Sequence, residues 1–263
     1  MIACSGMSDS NMSQTPHNFI DFHGHQGRWD VVGMWDEPSH MLAAMDSVGI
    51  ERACVFNIFH PDSRLGHDRL HRFIQAHPTR FIGFAYCTPM LPRDRMMSEL
   101  ERAIGQLGFA AIKIYPLYGE IAMNDARWEP VYQFANDRGL AVISHTGSQP
   151  SVEPKLVMDV APRFPRANFV VAHAGNLPAQ RSQAITAART FANVYIETCT
   201  TFRGPGVIEQ LVDGAGADKV IYGSDMPLMD PRCQIGRIIT AQLSEADKRM
   251  ILGGNARKLL RIV

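Results

Sequence analysis

Short apolar segments alternate with longer amphipathic segments eight times along this chain, and this alternation constrains its fold more than any other feature. Each apolar run is rich in Val, Ile and Phe and nearly continuous, as in parallel strands covered on both faces. Segments of helical periodicity separate the runs, which is the pattern of consecutive strand–helix–strand units. The runs predict strands at 18–23, 52–59, 80–87, 110–116, 140–145, 168–173, 193–199 and 219–225.

The number of strand–helix units predicts the architecture of the chain. Eight strands, each followed by a helix, match a closed (β/α)8 barrel, the α/β fold known as the TIM barrel, in a single domain. The chain has 263 residues, and about 250 residues is usual for that fold. An open doubly wound sheet is the alternative, but no G-x-G-x-x-G motif follows the first apolar run. Residues 1–17 are rich in Ser, Asn and Met, so we expect a flexible N-terminal tail ahead of a barrel domain at 18–263.

Composition and charge exclude several classes of partner. The chain carries 26 basic and 26 acidic side chains, so it has no net charge to attract nucleic acid or an anionic membrane. Neither a secretory signal nor a run of about 18 apolar residues is present. The five cysteines are widely spaced without a C-x-x-C pair, as in a protein with reduced thiols. We therefore expect a cytoplasmic protein with a small-molecule substrate, and a homo-oligomer is left open.

Polar residues fall at the predicted C-terminal ends of the strands, where the active sites of (β/α)8 barrels lie. Residues i and i+2 of a strand share a face, so His23 and His25 can bring two imidazoles to one cation. Barrel closure places strand eight beside strand one, so that His145 and Asp225 converge with them on the barrel axis. Three imidazoles and a carboxylate suit zinc and, less selectively, manganese or iron.

Two further polar residues end the sixth and fourth strands, and each has more than one interpretation. His173 could be a further metal ligand, a proton carrier beside the metal or a hydrogen-bonded core histidine. Lys113 could be a carbamylated bridge between two metals, a cation for a substrate carboxylate, or a buried ammonium paired with Glu197. We favour an uncarbamylated lysine.

Four residues near the predicted mouth are candidates for substrate binding. Tyr115 ends the fourth strand beside Lys113, and His60 lies just past the second strand. Arg28 and Arg203 follow the first and seventh strands and could clamp a carboxylate through two parallel hydrogen bonds, with loop solvation as the structural alternative.

A second pair of histidines lies outside this set. His67 and His71 are spaced i, i+4 on a predicted helix, without the accompanying glutamate of the zincin pattern. We therefore expect both side chains to belong to a solvated helix face rather than to a metal site.

Five motifs lie at or near the predicted strand ends. They are D-F-H-G-H at 21–25, I-K-I-Y-P at 112–116, S-H-T-G at 144–147, A-H-A-G-N at 172–176 and Y-G-S-D-M-P at 222–227. Taken together, these motifs resemble the amidohydrolase superfamily. More closely, they resemble its amidohydrolase-related branch, which includes aminocarboxymuconate-semialdehyde decarboxylase, related aromatic-acid decarboxylases and metal-dependent hydrolases. The resemblance extends from about Phe19 to the N-A-R-K-L-L segment at 255–260.

The resemblance implies a metal centre and a role for each ligand. It implies that His23, His25, His145 and Asp225 hold one divalent ion, usually zinc, and that His173 stands beside its water as acid or base. The chain departs from the family in two ways: many relatives have histidine where this chain has Tyr115, and the decarboxylase members are generally longer.

The function expected from these residues is hydrolysis. A metal-activated water would attack a small, anionic lactone, amide or ester, with Asp225 or His173 taking and returning the proton. One alternative is a metal-dependent, non-oxidative decarboxylase of an aromatic or unsaturated carboxylic acid, in which His173 or Asp225 protonates the carbon. Another is a non-catalytic barrel that binds metal or metabolite, since a fold does not guarantee catalysis. Zinc is the favoured ion and manganese the alternative.

Overall fold

The computed structural model describes residues 19–30, 33–60, 62–199 and 204–262, so the expected tail at 1–17 lies outside the described residues. Eight parallel strands form one sheet in chain order. The strands are β1 Phe19–His25, β2 Ile50–Phe56, β3 Phe81–Cys87, β4 Ala111–Ile114, β5 Ala141–Ser144, β6 Asn168–Val171, β7 Val194–Glu197 and β8 Val220–Ile221. A helical segment follows each strand, which confirms the predicted single-domain (β/α)8 barrel.

Ten α-helices surround the sheet in the described parts of the chain, and several end as their sequence indicates. Gly49 and Gly139 end two of them in the left-handed conformation that favours glycine. Ser244 caps another through its hydroxyl, which accepts the N–H of Asp247. The helices are α1 Pro38–Val48, α2 Ser63–Ala76, α3 Arg93–Gly105, α4 Glu129–Arg138, α5 Val157–Val160, α6 Pro178–Thr190, α7 Val207–Ala215, α8 Pro231–Ile239, α9 Glu245–Arg249 and α10 Asn255–Leu260.

Hydrogen bonds between β1 and the segment after β8 close the barrel. The N–H of Phe22 donates to the carbonyl of Tyr222 over 3.0 Å, and that of His25 donates to the carbonyl of Met226 over 2.7 Å. In the other direction, the N–H of Asp225 donates to the carbonyl of His23 over 2.8 Å. Residues 222–226 therefore extend the predicted eighth strand, but they hydrogen-bond to β1 rather than to β7. For this reason β8, the part that pairs with β7, is shorter than predicted.

Two apolar cores hold the sheet in place. The larger one lies between the strands and the outer helices, and includes Met45, Leu70 and Leu100. The second lies inside the barrel, where the ring centres of Phe22 and Phe84 are 5.1 Å apart. The barrel interior is thus filled with side chains, as is usual for eight strands. No helix among the described residues is long and apolar enough to cross a membrane.

Candidate active site

Three buried side chains, which we call the donor triad, meet where β1 and the segment after β8 come together. Nε2 of His25 lies 2.7 Å from Oδ1 of Asp225, and Nε2 of His23 lies 3.4 Å from the same oxygen. All three residues are at most 4 % exposed. Two imidazole nitrogens and a carboxylate oxygen therefore converge on one point.

The backbone at the donor triad is shaped by close approaches that the sequence permits. A Cβ atom on Gly24 would lie only 3.0 Å from the carbonyl oxygen of Cys54, so glycine lets β1 run close to β2 between the two histidines. Asp225 adopts a φ of 69°, a left-handed conformation that is uncommon outside glycine. This turn, fixed by its N–H bond to His23, directs the Asp225 carboxylate toward both imidazoles.

Burial and charge set the protonation of the donor triad. Burial and the neighbouring Lys113 cation hold the pKa of His23 well below its usual range. Burial raises the pKa of the Asp225 carboxyl, but the imidazoles of His23 and His25 lower it more, so it lies well below the ordinary value. The arrangement thus presents a neutral imidazole and an ionised carboxylate, which are the forms that ligate metal ions.

Glu197, at the end of β7, fixes the orientation of His23, one member of the donor triad. Its Oε2 accepts a hydrogen bond from Nδ1 of His23 over 3.0 Å and one from the N–H of His173 over 3.1 Å. Its Oε1 accepts the N–H of Cys199. Because the proton of His23 is held on Nδ1, its Nε2 lone pair is left to face the triad, as in carboxylate–histidine–metal arrangements.

His173 and His145 form a second pair beside the donor triad. Nε2 of His173 lies 3.0 Å from Nδ1 of His145, and the ring centres of His173 and His23 are 4.9 Å apart. Burial and the neighbouring His23 lower the pKa of His173 to about 4. Burial and His173 hold the pKa of His145 well below its usual range. The structure thus brings His145 close to the triad but places its Nδ1 against His173, outside the group of three donors.

A left-handed turn after β6 directs His173 toward the barrel axis. Four consecutive residues have positive φ: His173 at 62°, Ala174 at 46°, Gly175 at 77° and Asn176 at 65°. Such conformations cost about 1–3 kcal/mol for a non-glycine residue and persist only where the surroundings hold them. Here the N–H of His173 is held by Glu197 and the carbonyl of Ala172 by Thr146.

Lys113 lies fully buried beneath the donor triad. Its Nζ is 3.5 Å from Nε2 of His23 and 4.4 Å from the centre of the Phe56 ring. Burial lowers the pKa of Lys113 to about 8. The carboxylate of Glu197, one of its expected partners, accepts three N–H groups instead. Lys113 therefore places a positive charge next to the triad rather than forming an ion pair with Glu197.

Aromatic rings lie next to two of the histidines at the site. The ring of Tyr115 lies 4.5 Å from that of His145 and 4.4 Å from that of Tyr118. The ring of Phe59 lies 5.4 Å from that of His25 and 5.5 Å from that of Trp29. Flat apolar walls of this kind suit a planar ligand.

The remaining predicted substrate residues lie in loops and contact their own neighbours. Arg28 is exposed, pairs with Asp30 and lies over the ring of Trp35. Nδ1 of His60 lies 3.0 Å from the carbonyl oxygen of Asp62 and accepts the N–H of that residue. Arg203 lies outside the described residues.

A comparison with known protein families identifies the family to which the chain belongs. The family model described as Amidohydrolase matches residues 20–262. The chain belongs to the amidohydrolase family. This confirms the resemblance seen in the sequence and the expectation of an amidohydrolase-type enzyme.

The relatives of this amidohydrolase include decarboxylases of aromatic acids. It is 22 % identical over 272 residues to gamma-resorcylate decarboxylase of Polaromonas sp., covering 84 % of this chain and 83 % of the relative. A 2,6-dihydroxybenzoate decarboxylase from Rhizobium has a similar fold, with a TM-score of 0.77, 18 % identity and coverage of 93 % and 98 %. The dihydroxybenzoic acid decarboxylase of Polaromonas sp. JS666, with bound manganese and 2-nitroresorcinol, has a TM-score of 0.76, 18 % identity and coverage of 93 % and 97 %.

The residues of this amidohydrolase fit a divalent metal ion. The donor atoms of His23, His25 and Asp225 all lie within 4.8 Å of one another and are buried. Their chemistry, two imidazoles and a carboxylate, is that of catalytic zinc and manganese sites. This donor set supports a divalent metal without deciding which one.

Three residues in or beside the site make contacts that the sequence did not indicate. Asp21 is fully buried; its Oδ1 accepts the N–H groups of His23 and Ser224, and burial raises its pKa to about 7. Glu197, which was expected at the end of the seventh strand, orients His23, and Cys199 was expected only as a reduced thiol but contacts His173. The alternation of a strand places residues 197 and 199 on one face, so this signal was present in E-T-C at 197–199.

The structure corrects the expectation of a solvated histidine pair on α2. His67 is only 1 % exposed, and Nδ1 lies 2.7 Å from Oε1 of Glu99 on α3. Its Nε2 accepts the N–H of Tyr86 over 2.9 Å, and His71 is half-buried. The prediction was wrong because the glutamate that pairs with His67 comes from the next helix, 32 residues further along.

Proposed function

We propose that this amidohydrolase is a divalent-metal-dependent, non-oxidative decarboxylase of a hydroxylated aromatic acid. The observation that carries the proposal is the donor triad at the bottom of a mouth with aromatic walls. The named relatives are decarboxylases of dihydroxybenzoic acids, which supports the decarboxylase alternative over the hydrolysis that the sequence put first.

The metal would be held by His23, His25 and Asp225, with His145 as a fourth ligand. When bound, the ion would bind the substrate carboxylate and the adjacent hydroxyl oxygen and offset their negative charge. Lys113, buried 3.5 Å from Nε2 of His23, adds a second positive charge and so favours an anionic substrate. Zinc and manganese both suit these ligands, and we propose to test each.

The aromatic walls would orient the substrate ring. Tyr115 and Tyr118, next to His145, and Phe59 and Trp29, next to His25, would offer apolar faces to a flat ring. Stacked or edge-on aromatic pairs of this kind are worth about 0.5–1.5 kcal/mol beyond simple burial. The hydroxyl beside the carboxylate would then face the Asp225 side of the triad.

Asp225 would carry the proton. Its carboxylate is ionised in the resting site, so it can accept the proton of the substrate hydroxyl next to the carboxylate group. It then delivers this proton to the ring carbon that bears the carboxylate. The bond from that carbon to the carboxylate breaks, carbon dioxide leaves and the electron pair restores the aromatic ring as a phenolate. The phenolate takes a proton from solvent.

Turnover of two substrate panels tests this proposal. The purified chain, loaded with Mn²⁺ or Zn²⁺, is incubated with hydroxybenzoates including 2,6-dihydroxybenzoate, and separately with small lactones, esters and amides. We expect carbon dioxide and the corresponding phenol, carrying one ring deuterium when the reaction is run in D2O. Asp225→Asn should abolish turnover, whereas Asp30→Asn, at an exposed loop carboxylate, should not. Hydrolysis of the second panel without any carbon dioxide from the first would contradict the proposal.

A further inference from the structure

We propose that Cys199 is a positioning residue that holds the proton of His173 on Nε2, so that His173 acts in the mouth as a hydrogen-bond donor. This inference rests on the proposed function for its catalytic consequence. The contact itself is a feature of the metal-free fold.

The contact between the two side chains follows from the alternation of β7. Cys199 lies two residues after Glu197 and is fully buried. Its Sγ lies 2.9 Å from Nδ1 of His173, closer than the 3.7 Å to Nδ1 of His23. The N–H of Cys199 donates to Oε1 of Glu197, which fixes the backbone that carries the thiol.

The thiol of Cys199 has two acceptors within reach, Nδ1 of His173 and the Glu197 carboxylate, and the carboxylate already accepts three N–H groups. A cysteine thiol is ordinarily protonated at neutral pH and has an S–H to donate. A neutral imidazole carries one N–H, so an imidazole that accepts at Nδ1 has its proton on Nε2. In His173 that atom lies 3.0 Å from Nδ1 of His145, which accepts it. When His145 turns to a metal, the same N–H is free to donate to a substrate oxygen.

In this arrangement, Asp225 and His173 have different roles in the proposed site. Asp225 accepts and delivers the proton, whereas His173 keeps its own and orients the substrate. Glu197 and Cys199 together hold His173 at two places, its backbone N–H and its Nδ1. Both contacts help to hold a backbone that includes Ala174, a residue type that rarely adopts positive φ.

A different role for Cys199 must be distinguished. The ligand atoms of His23, His173, Glu197 and Cys199 lie within 4.8 Å of one another, so a thiolate could bind a metal there. However, the two oxygens of Glu197 already accept three N–H groups. The geometry therefore favours positioning, and the experiment below separates the two roles.

The tautomer of His173 is measured directly by NMR of the ring nitrogens in ¹⁵N-histidine-labelled, metal-free and zinc-loaded protein. Its signals are assigned by their loss in His173→Gln. We expect a protonated Nε2 and an unprotonated Nδ1 in wild type and in Cys199→Ser, whose hydroxyl can replace the donor. In the zinc-loaded protein, where His145 would bind the ion and no longer accept the Nε2 proton, Cys199→Ala should give His173 a mixture of the two tautomers. Cys54→Ala, at another fully buried cysteine of the barrel, should leave the tautomer unchanged.

Kinetics and metal content complete the test. On the substrate identified by turnover, Cys199→Ala should lower kcat roughly tenfold, in the range for outer-shell residues, with KM changed less than about twofold. Cys199→Ser should recover most of kcat, and all variants should retain wild-type metal stoichiometry. An unchanged His173 tautomer in zinc-loaded Cys199→Ala overturns the inference. A thiolate-to-metal charge-transfer band in Co²⁺-loaded wild type that is lost in Cys199→Ser would also overturn the inference, because it would show that Cys199 binds the metal. The NMR result does not need turnover, so failure of the decarboxylase proposal would be seen separately.

Discussion

Glu197 accepts a hydrogen bond from Nδ1 of His23 over 3.0 Å, with both side chains fully buried. The carboxylate thereby sets which ring nitrogen of His23 faces the donor triad. The contact fixes the ring orientation and the tautomer of His23, and the effect of removing it can be measured as a change in metal affinity.

Exchange of Glu197 for glutamine tests the orientation of His23. The amide of Glu197→Gln can donate to Nδ1 and so favour the wrong tautomer, which should weaken metal binding roughly 10–100-fold. Chelator competition against Mn²⁺ and Zn²⁺ measures the affinity. Glu99→Gln, which alters a buried glutamate–histidine pair outside the mouth, is the matched control and should bind metal normally. Equal metal affinities in Glu197→Gln and Glu99→Gln would show that Glu197 does not orient His23 for metal binding.

A methyl group at Gly223 should damage the site more than the fold. A Cβ there would lie 2.1 Å from Oε1 of Glu197 and 2.8 Å from Cβ of His23, so Gly223→Ala must displace both. We expect metal affinity to fall at least roughly tenfold, as for loss of an outer-shell partner. Gly236→Ala, in α8 with no atom within 4 Å of the added carbon, should bind metal as wild type does.

Packing between β3 and the outer helices gives a stability prediction. A Cβ on Gly83 would lie 2.4 Å from a ring carbon of Phe109 and 2.8 Å from Cδ1 of Ile74. Gly83→Ala should therefore lower the free energy of unfolding by about 1–3 kcal/mol, as overpacked cores do. Gly105→Ala, at the end of α3 with open space around it, should be neutral or slightly stabilising. Urea unfolding of both variants measures the difference, and equal stability would contradict the packing.

The buried pair of His67 and Glu99 predicts a loss of stability in acid. Burial alone would raise the pKa of Glu99, but hydrogen bonds from His67 and Arg102 lower it to about 2, against an ordinary value of 4.5. A depressed carboxyl pKa stabilises the fold above pH 4.5, and this stabilisation is lost as the pH falls toward 2. The difference in unfolding free energy between wild type and Glu99→Gln should therefore be constant from pH 7 to about pH 5.5 and shrink toward pH 3.5. Glu120→Gln, at an exposed position, should differ little from wild type at any of these pH values.

The barrel and the nearness of the donor triad followed from local patterns in the sequence. Apolar runs at regular intervals define eight buried strands, and strand alternation with closure brings His23, His25 and Asp225 to one point. Their role as metal ligands stays a proposal. These features depend only on strand periodicity and on the rule that the mouth of a barrel collects strand ends.

The features that could not be predicted depend on nonlocal contacts or on unusual backbone conformations. The pairing of His145 with His173 lies beside four consecutive residues of positive φ, of which Ala174 is a type that rarely adopts this conformation. The burial of His67 depends on Glu99 from another helix. Hydrolysis was expected because a metal held by these ligands can activate a water, whereas the placement of aromatic rings next to His25 and His145 depends on the folded loops.

Anomalous diffraction at the manganese edge, from crystals of the Mn²⁺-loaded chain, tests the central claim most directly. The account predicts one strong peak about 2.0–2.3 Å from Nε2 of His23, Nε2 of His25 and a carboxylate oxygen of Asp225, the range of metal–nitrogen and metal–oxygen bonds in protein sites. A main peak between Glu197 and Cys199, or full loading with none at the triad, would contradict it.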